Sequence, residues 1–370
     1  MTKKILIISS EFLPDPGGIG NHAYHMAKGL ALEGYHVTVL ADITSGSRDM
    51  LPAFIKNIPF HFIPVVRGNF VVLTYLKRLK LAARLAAGRE HIICSGKFSL
   101  WLIHLIKLFY PQKKILAIVH GTELLLPAAW QRTLINKALV KATNIVAVSR
   151  YTEGFIEGET RGKVCTTVIP NGIDNGEFVD HNTHTRPERP LQLITIGSVT
   201  ERKGQENVIN AMPELLIEFP GLIYHIVGTP VITEELQNLC KFLSIEKNVL
   251  FHGKLPRPAL LKLLDKSAVK LMLSNHTNKG DFEGFGIALL EANACGIPSI
   301  ASNTGGTAEA VADNFSGRLV NATDRKEIVA AVQDIINNYD RFSANAIRWA
   351  KDHDWILIIK KYVAIIESGS

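Results

Sequence analysis

Two carboxylates, Glu283 and Glu291, are eight positions apart in "DFEGFGIALLEANACGIPSIASNTGGTAEAV", and Glu291 is the only charged residue between Gly284 and Ala308. The apolar run from about Gly286 reads as a helix whose surroundings bury Glu291, and a buried carboxylate needs a partner. Ahead of it, Glu283-Gly284-Phe285-Gly286 is a glycine-rich loop ending on a helix N-terminus. Bare backbone N–H groups and the positive end of the helix dipole there suit a phosphate. A diphosphate on this loop would leave Glu283 and Glu291 to accept hydrogen bonds from sugar hydroxyls, which is the chemistry of a sugar-nucleotide site. A departing nucleoside diphosphate gains negative charge and needs fixed cations. Arg202 and Lys203, adjacent in "GSVTERKG", are candidates.

A second glycine cluster, in "KILIISSEFLPDPGGIGNHA", matches G-x-G-x-x-A from Gly18 to Ala23, and Asp42 closes the next apolar run where a dinucleotide enzyme keeps its ribose acid. The spacing argues against that reading. A dinucleotide fingerprint turns tightly from strand to helix, whereas "EFLPDPG" inserts a long loop between Ser10 and Gly18. His120 ends the apolar run "KILAIVH" and precedes Gly121-Thr122-Glu123; its near-neutral imidazole suits hydrogen bonding or proton transfer. "DHD" (Asp352–Asp354) has the letters of a metal-binding D-x-D, but it precedes "WILIIKKYVAIIE", where Asp354 fits the N-cap of a terminal helix. No metal and no cofactor are expected.

These residues sit on a repeating framework. "KILIISS", "HVTVLA", "EHIICSG", "KILAIVH", "NIVAVS" and "CTTVIPNG" alternate with helix-length segments. After the polar stretch "DHNTHTRPERP" (Asp180–Pro190), "LQLITIGS", "IYHIVG", "NVLFHG", "VKLMLS", "PSIAS" and "GRLV" repeat the pattern. This is the β-α-β signature of α/β parallel sheets buried on both faces. Two doubly wound domains are expected, with ligands beyond the carboxyl ends of the strands and a cleft where the two sheets face each other.

The 370 residues, 47% hydrophobic and 20% charged, fit about two domains. Ile5–Ile8 is far short of a signal-sequence core, and the longest apolar candidate, "FSLWLIHLIKLFY", is broken by His104 and Lys107, so a cytoplasmic protein without a membrane span is expected. Cys94, Cys165, Cys240 and Cys295 lie far apart, which argues against a metal knuckle and makes them core fillers in a reducing compartment. Residues 1–185 hold 21 Lys and Arg against 13 Asp and Glu, a balance of +8, while the remainder carries −1. With no nucleic-acid recognition motif, a bilayer surface or a phosphorylated substrate is the expected anionic partner.

Taken together, these motifs make the chain resemble the retaining GT-B glycosyltransferases of glycosyltransferase family 4 (glycosyl transferases group 1). The E-x7-E pair Glu283 and Glu291 carries the resemblance. "GGIGNHAYHMAKGLALEGYHVTVL", "IVHGTE", "VIPNGID", "GSVTERKG", "FHGKL" and "NTGGTAEAV" support it in order along nearly the whole length. It implies two Rossmann-like domains across a cleft: an acceptor-binding domain over 1–175, joined by a C-terminal helix over 351–370, and a donor-binding domain over 176–350. It implies that Gly17 and Gly18 lie near the donor phosphates, with Gly20 merely continuing into the helix, and that His120 lies beside the transferred sugar. His22 matches a recurrent family histidine. His22 and Asp42 are then the acceptor-binding candidates. Ser198 stands where the family has an arginine, so Arg202 is expected to supply the missing guanidinium beside the retained Lys203. The donor set is completed by Glu283, Gly284, Phe285, Gly286 and Glu291.

The reaction so implied moves a sugar from a UDP-sugar or GDP-sugar to a hydroxyl of a lipid-linked or saccharide acceptor, without metal, by front-face substitution that retains anomeric configuration. Cell-envelope glycolipid, lipopolysaccharide or polysaccharide synthesis is the expected setting. A sugar-nucleotide epimerase and a transferase acting on a small soluble acceptor are the alternatives. In "NFVVLTYLKRLKLAARLAAG" (Asn69–Gly88), Lys77, Lys80 and Arg84 form a basic stripe next to an apolar sector of Val72, Leu76, Leu79 and Ala83. With the apolar sector on the sheet, the stripe would face water or an anionic membrane, giving a peripheral association at the inner membrane face.

Overall fold

The computed structural model describes residues 3–15, 17–68, 71–181, 190–277 and 281–368. Most of the expected linker "DHNTHTRPERP" lies outside them, as do Asn69 and Phe70 at the start of the expected amphipathic segment and Pro16 of the "EFLPDPG" loop. The chain forms two compact units, one of Met1–Gly172 with Trp355–Ser370 and one of Ile173–Asp354.

The first unit is a seven-stranded parallel sheet among the described residues, in the order β3-β2-β1-β4-β5-β6-β7. Its strands are β1 (Lys4–Ser9), β2 (His36–Ile43), β3 (His61–Val66), β4 (His91–Ser95), β5 (Lys114–Val119), β6 (Asn144–Ala147) and β7 (Cys165–Val168). Leu6, Ile8, Ile92, Ile115 and Ile145 are fully buried, as central strands covered on both faces require. Each such side chain contributes about 1.5–3 kcal/mol. The sequence pattern did not find β3. It is an edge strand paired only with β2, and it carries Pro64 opposite Ala41. Proline is tolerated at an edge because no second neighbour needs its missing N–H. Cys94, Cys240 and Cys295 are buried, but Cys165 is exposed on the other edge strand, against the expectation of four core fillers.

The terminal helix Trp355–Ser368 packs within this first unit against the helix Gly18–Leu32. Gly29 is the contact point, since a Cβ there would come within 2.8 Å of Ile359 Cγ1.

The second unit is a six-stranded parallel sheet among the described residues, ordered β10-β9-β8-β11-β12-β13. It comprises β8 (Gln192–Ile196), β9 (Ile223–Val227), β10 (Val249–Gly253), β11 (Val269–Met272), β12 (Ser299–Ser302) and β13 (Gly317–Val320). All six coincide with the expected apolar runs. Order reverses beside β8 and β11, the kind of switch point where open α/β sheets bind ligands.

The helix Val71–Ala87 departs from the expected orientation. Among its described side chains Arg78, Ala82 and Ala86 are buried, whereas Val72, Leu73 and Leu76 are 69%, 62% and 55% exposed. Short alanines let the helix lie close to the sheet, and Arg78 turns inward because Asp42 at the end of β2 receives it.

Candidate active site

In the second unit, the loop Glu283–Gly286 leads from the region after β11 into the helix Ile287–Ala294. Gly286 is left-handed at φ 96° and heads the helix with no side-chain cap. Leu289 N–H donates back to the Gly286 carbonyl at 2.9 Å, which leaves the N–H groups of Ile287 and Ala288 at the helix start for an anion. The loop is pinned from below, where Gly306 N–H donates to the Glu283 carbonyl at 3.0 Å. Gly306 must be bare, because a Cβ there would lie 2.0 Å from the Gly284 carbonyl oxygen. The "NTGG" motif thus builds the loop's floor. Phe285 is 2% exposed and can offer a ligand only its backbone.

Glu283 Oε2 accepts from Lys203 Nζ at 2.7 Å and from Arg202 Nη1. Burial alone would raise the Glu283 pKa, but Lys203 and Arg202 outweigh it and hold the carboxyl below its usual range. Lys203 reaches Glu283 past Gly197, where a Cβ would stand 3.1 Å from Lys203 Cε. Ser198 is exposed, and its carbonyl accepts from Gln205 Nε2 at 3.1 Å. Arg202 and Lys203 are therefore both gathered on Glu283. Glu291, on the first turns of the helix Ile287–Ala294, is partly buried, and burial raises its pKa against the pull of Arg257 and Lys270.

Lys270 was not singled out in the sequence. It is 0% exposed on β11, and its Nζ donates to the Ile196 carbonyl at 3.4 Å. Burial first, then the charge of Lys203, hold its pKa well below the usual lysine range, while Glu291 and Glu283 pull the other way. A lysine inside the apolar run "AVKLML" was the available signal, since charged residues are almost never fully buried without a partner.

The first unit holds the remaining candidates. His120 Nε2 is 2.9 Å from Ser95 Oγ, and the His120 N–H donates to Glu123 Oε1 at 2.6 Å. Burial lowers the His120 pKa to about 4. It is therefore a neutral imidazole near pH 7 and a far weaker base than the near-neutral group expected from sequence. His22 is 0% exposed, with Nε2 2.9 Å from Tyr362 Oη on the terminal helix and its ring 5.1 Å from that of His120. It lies inside the unit rather than on a wall open to an acceptor. Asp42 forms a buried ion pair with Arg78 and a longer one, 3.4 Å, with Arg67. Gly17 and Gly18 are exposed at the start of their helix, and a Cβ on Gly17 would come 2.5 Å from Glu11 Oε2. Gly20 does more than continue the helix, since a Cβ there would crowd the Phe12 backbone at 3.1 Å.

Asp354 directly precedes the terminal helix and accepts from Asn175 Nδ2 at 2.9 Å. Among the described residues, no group of three or more His, Cys, Asp and Glu side chains is arranged to hold a metal ion.

Comparison with known proteins matches residues 16–177 to the family Glycosyltransferase Family 4 and residues 177–352 to Glycosyl transferases group 1. A GDP-mannose-dependent alpha-(1-6)-phosphatidylinositol monomannoside mannosyltransferase of Mycolicibacterium smegmatis is 31% identical over 256 residues, 65% of this chain and 66% of that enzyme. A glycogen synthase of Mycobacterium tuberculosis is 26% identical over 95% of this chain and 91% of its own length. Among solved structures, Anabaena HepE in complex with UDP and glucose superposes with a TM-score of 0.77 at 18% identity, covering 99% of this chain and 100% of that one. Sucrose-phosphate synthase of Thermosynechococcus elongatus gives 0.79 at 18% identity, over 99% and 98%. Both likenesses are of the fold, two parallel-sheet units of the GT-B type.

Proposed function

Because the chain belongs to glycosyltransferase family 4, with the group 1 module as its second half, and is a nucleotide-sugar-dependent glycosyltransferase, we propose that it transfers a sugar from a UDP-sugar or GDP-sugar to an acceptor hydroxyl with retention of anomeric configuration. The setting proposed is cell-envelope glycolipid, lipopolysaccharide or polysaccharide synthesis. The mannosyltransferase relative supports GDP as the nucleotide and a lipid-linked acceptor.

The observation that carries the reading is the gathering of Lys203 and Arg202 on Glu283 at the foot of a glycine loop that opens a helix. The incoming diphosphate takes the two cations and the helix N–H groups. Glu283, relieved of them, accepts from hydroxyls of the sugar, and Glu291 accepts from the nucleoside. As the bond to the anomeric carbon breaks, charge grows on the diphosphate, and fixed cations in a partly buried site stabilise it. The leaving oxygen takes the acceptor's proton while the acceptor oxygen forms the new bond on the same face. With that charge already met by lysine, arginine and backbone amides, no divalent ion is required.

Attachment to an anionic membrane face is part of the same proposal. No helix among the described residues is long and apolar enough to cross a membrane. The exposed face of Val71–Ala87 instead combines Val72, Leu73 and Leu76 with Lys77, Lys80 and Arg84. Apolar and basic residues together on one solvent-facing side suit the headgroup region of a bilayer.

The test is incubation with a panel of nucleotide sugars, following nucleotide release and mass transfer to a glycolipid or saccharide acceptor. Transfer supports the reading. Isomerised donor with no transfer would make the protein an epimerase, and absence of nucleotide binding would refute the site.

A further inference from the structure

The first unit contains a cavity of about 490 Å³ at the carboxyl ends of β1, β2 and β4, closed on one side by the helix Val71–Ala87. Three residues of its lining carry buried polar atoms without a partner: Arg78 Nε, Asp42 Oδ1 and Trp101 Nε1. Leaving such atoms unpaired is costly unless a ligand or water meets them. Two are N–H donors and one is a carboxylate acceptor, so the ligand must both accept and donate.

The walls are aromatic. The Tyr75 and Phe98 rings stack at 4.6 Å, and the Arg78 guanidinium lies 3.9 Å from the Phe98 ring centre. Phe98 is thus covered on both faces, which leaves Tyr75, 40% exposed, and the Trp101 indole to meet the C–H side of a sugar ring. The volume falls in the range of small-ligand pockets. Three cations line the cavity, Arg67, Arg78 and Lys97, against the two carboxylates Glu11 and Asp42. Arg67 is 53% exposed and holds Asp42 only at 3.4 Å, leaving its guanidinium able to turn to a ligand. Burial raises the pKa of both Glu11 and Asp42, which further favours an anion over a cation as occupant.

We propose that this cavity binds the acceptor, a saccharide bearing a phosphate group, with the phosphate on Arg67, Lys97 and Arg78, a hydroxyl donating to Asp42 and the ring against Trp101. The assignment rests on the glycosyltransferase reading above, and two sources share its chemistry: a soluble sugar phosphate and the headgroup of a lipid-linked sugar.

Calorimetric titration of the full chain tests it, with hexose 1-phosphates of gluco, galacto and manno configuration, the parent hexoses and the farnesyl esters of the same phosphates. UDP and GDP are titrated in parallel. Tighter binding of at least one phosphorylated form than of its parent hexose supports the site; preference for the ester assigns the lipid-linked source and preference for the free phosphate the soluble one. Arg67→Gln and Lys97→Gln, both at the cavity's accessible side, should each weaken that binding about 10-fold or more. Trp101→Phe should weaken it while keeping the ring, and nucleotide affinity should not change in any of the three. Normal nucleotide binding with no preference for phosphorylated sugars, or with unaffected variants, overturns this inference alone. Loss of nucleotide binding in the unmodified protein overturns the functional reading beneath it.

Discussion

Lys203 Nζ lies 2.7 Å from Glu283 Oε2, and the same oxygen accepts from Arg202 Nη1. One carboxylate thus holds two cations that a diphosphate would otherwise claim. Glu283→Gln should release them. Nucleoside diphosphate affinity is then expected to stay level or rise, while turnover falls about 10- to 100-fold through loss of a charged acceptor, worth about 1.5–3 kcal/mol. Separate measurement of nucleotide Kd and of kcat checks the division. Weakened nucleotide binding at normal kcat would contradict it.

Glu291 and Lys270 predict a pH dependence. Burial raises the Glu291 pKa, and Arg257 and Lys270 work against that rise. In the proposed role Glu291 accepts from the donor as its carboxylate, so kcat/KM should fall as pH drops through the raised pKa. Lys270→Met removes one of the restraining cations and should move this acid limb to higher pH; Glu291→Gln should abolish the limb at a cost of about 10- to 100-fold. The Lys270 pKa is lowered in the fold, so its charged form is disfavoured there relative to the unfolded chain. Lys270→Met is therefore expected to be neutral or stabilising near pH 7. An unmoved pH profile in Lys270→Met would separate Lys270 from Glu291.

Metal removal should leave most of the activity. Arg202, Lys203 and the first-turn amides after Gly286 supply the positive charge that a divalent ion otherwise brings. Initial rates with and without chelator decide the point. Abolition by chelator with rescue by magnesium or manganese would return attention to Asp352 and Asp354.

His120 carries a stability prediction with a definite sign. Its pKa is lowered to about 4 in the fold, against about 6.5 in an unfolded chain. Between those values the unfolded state binds more protons, so stability falls as pH drops from neutrality. By pH 5 the loss from this residue is about 1–2 kcal/mol. Denaturant midpoints measured at pH 7 and pH 5 should converge in His120→Asn relative to the unmodified protein. Equal pH slopes for the two would mean that His120 titrates normally.

The Rossmann-like layering was legible because strands buried on both faces are continuously apolar, as Ile5–Ile8 of β1 and Ile115–Val119 of β5 are, and among the described residues twelve of the thirteen strands coincide with the expected β-rich runs. β3 did not, since an edge strand can carry Pro64. The Glu283–Gly286 loop was legible from glycines, which mark backbone that must come close, as Gly306 does to Gly284. Pairings distant in sequence were hidden. Nothing local says that Arg78 turns inward to Asp42, 36 positions away, or that His22 meets Tyr362 across 340. Helical periodicity also misled. It separates faces but does not say which is buried, and on Val71–Ala87 small alanines and one paired arginine took the core side.

That reversal sharpens the membrane prediction. At ~100° per residue, Val72, Leu73, Leu76, Lys77, Lys80 and Arg84 fall within about 140° of one another. Val72, Leu73 and Leu76 are each more than half exposed, so this face shows water three aliphatic side chains next to three cations. Against an anionic bilayer each cation contributes about 1 kcal/mol, and together they would strengthen binding about 100-fold. Aliphatic insertion adds a part that salt does not screen. Charge reversal at Lys77, Lys80 and Arg84 should therefore release the protein from anionic vesicles, and Leu73→Ser with Leu76→Ser should weaken the binding that persists at high salt. Neither change touches the second unit, so nucleotide affinity should hold in both. Sedimentation with anionic and neutral vesicles at low and high salt reads out both components. Failure of the unmodified protein to sediment with anionic vesicles at low salt would remove the membrane from its working environment and leave a soluble acceptor.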